Sequence, residues 1–258
     1  MAMPKNTEHC MVCGSKLEYF KTAKTVTCTY CAKSEAGHIQ CSQGHYICDA
    51  CHSKDAMKAI EDLASTTELK DPVEIAELMM SHPGLPMLGC EHAYVAAGAL
   101  LAALRNSPYG NITTGQIREA FDRIGRQAAG GYCGLTGVCG IVPAVGACFS
   151  IFLGAHCGTD REQKITMEAV TKTAGAIADL TGPSCCKAYV RAAISVAVQE
   201  FGEKFGIVLP VKDASLVCRQ SERHPHGCRE EKCPYYKKEA AKDIFAESTH
   251  LSVTVCHT

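Results

Sequence analysis

The cysteines near the start of the chain are the feature that most constrains its fold. Seven of the 18 cysteines fall within the first 51 of 258 residues, and most of them come in closely spaced pairs. Two residues between paired cysteines let both thiolates turn toward one metal ion. Because this segment has too few apolar residues for a core of its own, we predict a module at residues 1–52 that folds around two tetrahedral zinc ions. Its eight predicted ligands are Cys10, Cys13, Cys28, Cys31, Cys41, His45, Cys48 and Cys51.

Two ways of connecting these ligands to the two ions are open. In sequential wiring, the first four ligands hold one ion and the last four hold the other. In a cross-brace, the first and third pairs share an ion, and so do the second and fourth pairs. His38 and His52 are further candidates that could replace His45. The spacing alone favours neither wiring.

The bulk composition excludes several classes of function. The 26 basic and 27 acidic side chains leave a formal net charge of −1, which gives no electrostatic footprint for nucleic acid or for an anionic membrane. Residues 1–5 carry neither the apolar core nor the cleavage site of a signal peptide. We therefore expect a cytoplasmic protein, whose cysteines bind metal or react rather than form disulfides.

From residue 53 onward the apolar residues recur at helical spacing. This predicts a mainly α fold, in which the small zinc-binding module precedes an α-helical bundle with a buried central helix and a C-terminal cysteine-rich loop. Asp71 before Pro72, Thr113 with Gln116, and Asp160 are typical helix starts. The predicted helices cover residues 55–63, 72–80, 91–104, 139–153, 162–180 and 185–205. Short strands are predicted only at 207–211 and 251–255.

The composition along the chain predicts three parts, which are the module at 1–52, a helical domain at 53–211, and a C-terminal metal or cluster segment with its tail at 212–258. Three cysteines of the last part form a candidate ligand set: Cys218, Cys228 and Cys233. Proline after the last of them is common in iron–sulfur ligation. Spacing does not separate a cluster from a zinc site completed by His224 or His226. The alternative is a basic loop with unrelated thiols.

Glycine-rich helix starts in the middle of the chain carry a further set of cysteines. Backbone amides at a helix N-terminus bind anions and lower the pKa of a nearby thiol, so convergent starts would line one pocket. The residues assigned to cofactor binding are Cys90, Cys133, Cys139 and Lys187, together with Cys218, Cys228 and Cys233. The residues assigned to catalysis are Cys185 and Cys186 as nucleophiles, and Glu91 and His92 for proton transfer. The alternative is glycine-mediated helix packing, in which buried cysteines such as Cys148 act as small apolar residues.

Several motifs resemble a known family. Residues 131–140 read Gly-Tyr-Cys-Gly-Leu-Thr-Gly-Val-Cys-Gly, residues 182–187 read Gly-Pro-Ser-Cys-Cys-Lys, and residues 233–236 read Cys-Pro-Tyr-Tyr. Together with Gly-His-Tyr-Ile-Cys-Asp-Ala-Cys-His at 44–52, they are similar to the cysteine-rich DUF5714-type family of unassigned function from anaerobic bacteria and archaea. In relatives this domain is sometimes joined to a methyltransferase or radical-SAM region, and no such region is recognised in these 258 residues. The resemblance implies a fold and a site location, with little chemistry.

Three functional hypotheses follow. The first is an oxygen-sensitive enzyme of the sulfur-transfer or lyase type, with a 4Fe–4S cluster and a small anionic substrate held by the helix-start amides. The second is a non-catalytic zinc adaptor or cluster carrier that docks on a methyltransferase or radical-SAM enzyme. The third is structural zinc in a helical scaffold, which would form a homodimer through its alanine-rich helices.

Overall fold

A two-stranded antiparallel hairpin forms the first part of the fold. In the computed structural model, which describes residues 10, 15–29, 32–52, 54–82, 84–180, 182–211 and 216–236, its strands are β1 (Leu17–Thr27) and β2 (Ser34–Cys41). Leu17 lies opposite Cys41 in the pairing. Most side chains of β1 are exposed. Because apolar and polar residues do not alternate regularly along either strand, the sequence pattern predicted no strand here.

Helices make up most of the remaining chain, which confirms the prediction of a mainly α fold behind a small cysteine-rich N-terminal module. The helices are α1 (Asp49–His52), α2 (Lys54–Thr66), α3 (Pro72–Met80), α4 (Glu91–Arg105), α5 (Thr114–Gly125), α6 (Tyr132–Thr136), α7 (Ile141–Leu153), α8 (Arg161–Asp179) and α9 (Cys186–Phe205). Two short 3-10 turns follow, at Ser221–Arg223 and Glu230–Lys232. The short helix α6 had no prediction, since five residues are too few to show a period.

Capping residues fix where several helices begin. The Asp71 side chain accepts hydrogen bonds from the N–H groups of Val73 and Glu74, and Pro72 is the first residue of α3. Both features were predicted. Asp160 precedes α8 as expected, but its side chain makes no capping hydrogen bond, so that part of the prediction is wrong. The backbone of Asp160 is already helical there, which turns its carboxylate away from the following amides.

The centre of the bundle is α4, which packs against α2, α3, α5, α7 and α9. Every residue from Val95 to Leu104 in this helix is buried. Gly98 makes the packing close, since a Cβ atom there would lie 3.2 Å from both Ala64 of α2 and Phe121 of α5. Helix α7, predicted as a buried helix, lies beside α4 and is covered on another side by α8. The arrangement brings the starts of α4, α7 and α9 toward the cysteine-rich loops.

The start of α5 gives a test of the capping box. The Thr113 hydroxyl accepts from the Gln116 N–H at 3.2 Å, and the Gln116 side chain accepts from the Thr113 N–H at 2.9 Å. We expect Thr113→Ala to lower the free energy of unfolding by about 1 kcal/mol because the Gln116 N–H loses the hydroxyl that accepts its hydrogen bond. Thr114→Ala is the matched control, since Thr114 is exposed and makes no part of the box. Equal chemical-denaturation midpoints for the two variants would contradict the assignment.

One of the two predicted strands lies within the described residues, and it does not form. Residues 207–211 alternate buried and exposed apolar side chains, with Ile207 and Leu209 buried and Val208 exposed, but the described part of the chain offers them no pairing strand. The alternation therefore arises because Ile207 and Leu209 pack on the helical core, and the strand prediction is wrong. The second candidate, at 251–255, lies outside the described residues. Within the described ranges, none of the helices combines the length and the apolar character needed to cross a bilayer.

Candidate metal centres

The N-terminal module brings its described ligand atoms into two compact groups. The ligand atoms of Cys10, Cys41 and His45 all lie within 4.8 Å of one another, and so do those of Cys28, Cys48 and Cys51. Sulfur ligands about 2.3 Å from one tetrahedral ion are about 3.8 Å apart, so each group is compact enough for a single ion. The grouping joins the first ligand pair to the third and the second to the fourth, as in a cross-brace.

Backbone hydrogen bonds shape both groups. The Cys41 sulfur accepts from the N–H of His45 at 3.2 Å, in a tight turn that also places the His45 Nδ1 atom 3.5 Å from this sulfur. The Cys28 sulfur accepts from the N–H of Cys48 at 3.4 Å. Amide donors of this kind stabilise thiolates at a metal site. The module is therefore built from loops before β1, after β1 and after β2, because the hairpin brings them together.

Some predicted ligands of the module have a different status. His38 is engaged elsewhere, with its Nδ1 atom 3.0 Å from the carbonyl oxygen of Phe20. Cys13 and Cys31 lie outside the described residues, as does the side chain of His52. Their assignment stays a prediction from sequence spacing.

Four cysteines outside the module, which we call the helix-start group, lie at the beginnings of four helices. Cys90 precedes α4, Cys133 lies in α6, Cys139 stands two residues before α7, and Cys186 is the first residue of α9. Burial raises the pKa of Cys186 to about 12, to which negative charge on Cys139, Cys133 and Cys185 would contribute. Burial likewise raises the pKa of Cys90, with added contributions from Asp49, Glu91, Cys186 and Cys133. Each of the four sulfurs therefore lies within electrostatic reach of at least one other, and Cys133 lies within reach of all three.

Helix-start amides point at two of these sulfurs. Gly89 donates its N–H to the Cys186 sulfur, and Ile141 donates its N–H to the Cys139 sulfur. Burial nevertheless raises the pKa of Cys139, to about 11. Without a positive ion these thiols are neutral at pH 7, whereas a bound metal would hold them as thiolates.

A buried histidine and a buried lysine lie next to the helix-start group in sequence. His92 is fully buried, with Nδ1 3.2 Å from the Gly89 carbonyl and with no partner for Nε2 in the described part of the molecule. Burial lowers the pKa of His92 to about 4, aided by the charge of Lys187. Lys187 is also buried and donates to the carbonyl of Met80 at 2.8 Å. Its pKa falls to about 8, chiefly through burial.

A third set of four cysteines, which we call the C-terminal group, lines one cavity between α9 and the loops that follow it. Its members are Cys185, Cys218, Cys228 and Cys233. The loop 216–236 folds back onto the start of α9, where the N–H of Cys218 donates to the carbonyl of Tyr235 at 2.7 Å. The Cys218 sulfur accepts from the N–H of Gln220, and the Cys228 sulfur from the N–H of Glu230, each at 3.4 Å. These donors match those found around metal-bound thiolates.

Positive side chains border the C-terminal group. Arg191 is buried, holds both Glu77 carboxylate oxygens at 2.6 and 2.8 Å, and also bonds to Cys218. Arg229 is buried and donates to the carbonyl of Leu180 at 2.7 Å. Cationic groups at these places would offset the charge of several thiolates.

The two histidines near the C-terminal group are not equivalent to its cysteines. The Nε2 atom of His224 lies 3.0 Å from the carbonyl of Ser184, and its Nδ1 atom accepts from the N–H of His226 at 3.3 Å. Because both ring nitrogens of His224 have partners, it is poorly placed to bind a metal. The His226 ring stands edge-on to Tyr19 of β1, so it ties the loop to the hairpin.

The two four-cysteine groups are wider than the groups of the module. Among the described residues, only the two groups of the module place three ligand atoms within 4.8 Å of one another. The ten cysteines described from Cys90 onward are also all free of disulfide bonds. No three sulfurs of either four-cysteine group meet this limit, so both groups are more open than those of the module.

In a comparison with known protein families, residues 60–236 match the model of DUF5714, a family of unknown function. The chain belongs to the DUF5714 family. No curated protein and no solved structure matches it. All eight cysteines of the two four-cysteine groups lie inside the DUF5714 region, whereas the N-terminal module precedes that region.

The predicted site residues of the DUF5714 region do not all lie in one pocket. Cys185 has extended backbone and Cys186 is helical, so the two neighbouring side chains leave the chain in different directions. Cys186 joins the helix-start group, while Cys185 joins the C-terminal group. Sequence reasoning placed both in one pocket because it had no means to see the C-terminal loop return to α9. Their catalytic roles, and those of Glu91 and His92, stay predictions.

Residues outside the predicted sites also take part in positioning them. The Asp49 carboxylate at the start of α1 accepts from the N–H of Gly130 at 3.0 Å, which joins the module to the glycine-rich turn before Cys133. A Cβ atom at Gly130 would lie 2.8 Å from that carboxylate. The run of glycines was visible in the sequence, but nothing there paired it with Asp49.

Two of the described cysteines belong to none of these groups: Cys148 is buried inside α7, and Cys157 is exposed in a loop.

Proposed function

We propose that this DUF5714 protein is an iron–sulfur protein in which the helix-start group binds a 4Fe–4S cluster. The observation that carries the proposal is the convergence of Cys90, Cys133, Cys139 and Cys186 from four separate helix starts, with wider spacing than one metal ion allows. Four cysteine thiolates are the usual ligand set of such a cluster. A reducing cytoplasm suits these thiols, which form no disulfides.

We also propose zinc as the metal of the N-terminal module. Thiolates with one imidazole are the donor set that zinc prefers, and the described sulfur and nitrogen atoms are close enough for tetrahedral coordination. The spacing of the pairs predicts Cys13 and Cys31 as the remaining ligands. Zinc has no redox chemistry, so its role here is to hold the loops of the module in place.

The ligand count favours a non-catalytic role for the cluster. If each of the four cysteines binds one iron, no iron is left open to act as a Lewis acid. An electron-transfer or cluster-carrying protein needs no open iron, but it does need contact with a partner. Tyr132, Leu135 and Val138, on and just after α6, are exposed by 46, 54 and 57% beside Cys133 and Cys139. This apolar surface supports docking of a partner enzyme such as a methyltransferase or a radical-SAM protein.

One observation favours the catalytic alternative, a sulfur-transfer or lyase enzyme acting on a small anionic substrate. The Nε2 atom of His92 is buried with no partner in the described part of the chain, and a buried polar atom of this kind usually has a role. In this alternative Cys133, on the exposed helix α6, does not bind iron. Mild ferricyanide oxidation separates the two roles. An open iron would be lost to give a 3Fe–4S signal in electron paramagnetic resonance (EPR), and a fully ligated cluster would resist.

Iron and sulfide analysis of anaerobically purified protein tests the cluster itself. We expect Cys139→Ser to contain about four fewer irons per chain than the wild type, with a matching loss of acid-labile sulfide and visible absorbance. Cys148→Ala and Cys157→Ser are matched controls, one buried and one exposed, and both should keep the full iron content. Unchanged iron in Cys139→Ser, with folding verified by circular dichroism, would contradict the proposal.

A further inference from the structure

We infer that the C-terminal group binds a second 4Fe–4S cluster, separate from the first and set beside it across the Cys185–Cys186 peptide bond. The second cluster stands on its own observations. Its position beside another cluster rests on the function proposed above for the helix-start group.

The cavity of the C-terminal group has a complete set of ligands. Cys185 comes from the start of α9, and Cys218, Cys228 and Cys233 come from the loop that folds back onto it. All four cysteines line this one cavity, together with Arg191 and Arg229. The four sulfurs therefore face a shared space, although they are separated by as many as 48 residues along the chain (185 to 233).

The surroundings of this cavity suit a cluster that carries net negative charge. Three of the four sulfurs accept backbone N–H groups: Cys185 from Ala188, Cys218 from Gln220 and Cys228 from Glu230. The Arg191 guanidinium reaches Cys218, and the Glu77 carboxylate fixes its orientation. Amide and cationic donors to cluster sulfurs stabilise the reduced, more negative state.

A single zinc ion fits this cavity less well. Each group of the module has three ligand atoms within 4.8 Å of one another, whereas no three of these four cysteines do. His224, which also lines the cavity, has both ring nitrogens engaged. Cys233 is followed by Pro234, which removes a competing backbone donor next to the sulfur.

The position of the two groups follows from the covalent chain. Consecutive Cα atoms are about 3.8 Å apart, so ligands on Cys185 and Cys186 hold their clusters on adjoining sides of the start of α9. The backbone is extended at Cys185, with φ −132° and ψ 102°, and helical from Cys186 onward. Two paramagnetic clusters at such close range couple their electron spins.

Anaerobic full-length protein, reduced with dithionite, allows a direct test by iron analysis and EPR. The wild type should contain about eight irons per chain and show a spectrum split by spin–spin interaction. Cys218→Ser, in the C-terminal group, and Cys139→Ser, in the helix-start group, should each retain about four irons and show an unsplit signal. Cys157→Ser should match the wild type. Two zinc ions in every variant would show that the N-terminal module stays intact.

The outcomes separate this inference from the function proposed above. About four irons that are lost in Cys139→Ser and kept in Cys218→Ser would overturn the second cluster and leave the first standing. The reverse pattern would overturn the first cluster and support the second. A third zinc ion that disappears in Cys218→Ser would show that the C-terminal group binds zinc. About eight irons without spin coupling would refute the adjacent placement, and this wild-type readout holds even where a variant fails to fold.

Discussion

Cys28→Ser is expected to lose one zinc ion and to leave the other bound by three sulfurs and one nitrogen. Cys28 shares its group with Cys48 and Cys51, so the ion that remains is the one at Cys10, Cys41 and His45. Metal binding supplies about 10–16 kcal/mol in small zinc domains, so the loss of one ion should also destabilise the hairpin strongly. X-ray absorption at the zinc edge measures the remaining ligand set, and zinc analysis measures the stoichiometry.

The companion variant makes this test specific for the wiring. In Cys10→Ser the remaining ion should have four sulfur ligands, because the group with His45 is the one that is lost. Sequential wiring gives a different pattern, in which either variant leaves the same ion, the one bound by His45. Cys157→Ser, in an exposed loop far along the sequence, serves as the control for thiol removal. An identical sulfur–nitrogen shell in both module variants would rule out the cross-brace.

Glu77→Ala is expected to lower the free energy of unfolding by about 3–5 kcal/mol. Arg191 is 7% exposed and holds Glu77 through two hydrogen bonds, so removing the carboxylate leaves a buried guanidinium without its counter-charge. The same change should loosen the C-terminal group, since Arg191 also bonds to Cys218. Chemical denaturation measures the first effect, and the iron content measures the second.

The control for Glu77→Ala is Glu68→Ala, which removes an exposed carboxylate. This change should alter stability by no more than about 0.5 kcal/mol. The Glu77→Ala,Arg191→Met double variant should recover part of the lost stability, because an apolar side chain of similar length replaces the unpaired charge. A loss of less than about 1 kcal/mol in Glu77→Ala would mean that the Arg191 guanidinium is not buried in solution.

Much of the helical body could be predicted from the sequence, because its signals are local. The apolar period placed α4 and α9 to within a residue or two, and Asp71 and Thr113 marked two helix starts through their caps. The hairpin left no such signal. Most side chains of β1 are exposed, so this strand carries little of the apolar alternation that reveals a strand.

The arrangement of the cysteines was only partly predictable. Pair spacing selected candidate ligands, but the pairing of the groups depends on the hairpin, whose register brings Cys41 opposite Leu17. The separation of Cys185 from Cys186 depends on a contact between α9 and a loop more than 30 residues later in the chain. Contacts between distant parts of a sequence leave no local period or motif, so a single sequence could not reveal them.

The central claim, that distant thiols of this chain gather around metals, is tested most directly by anomalous diffraction. Crystals of anaerobically purified protein would be measured at the zinc and iron absorption edges. We predict zinc peaks at the two groups of the N-terminal module and iron peaks on both sides of the Cys185–Cys186 peptide bond. An absence of iron peaks at both four-cysteine groups, with their thiols reduced and intact, would contradict the account.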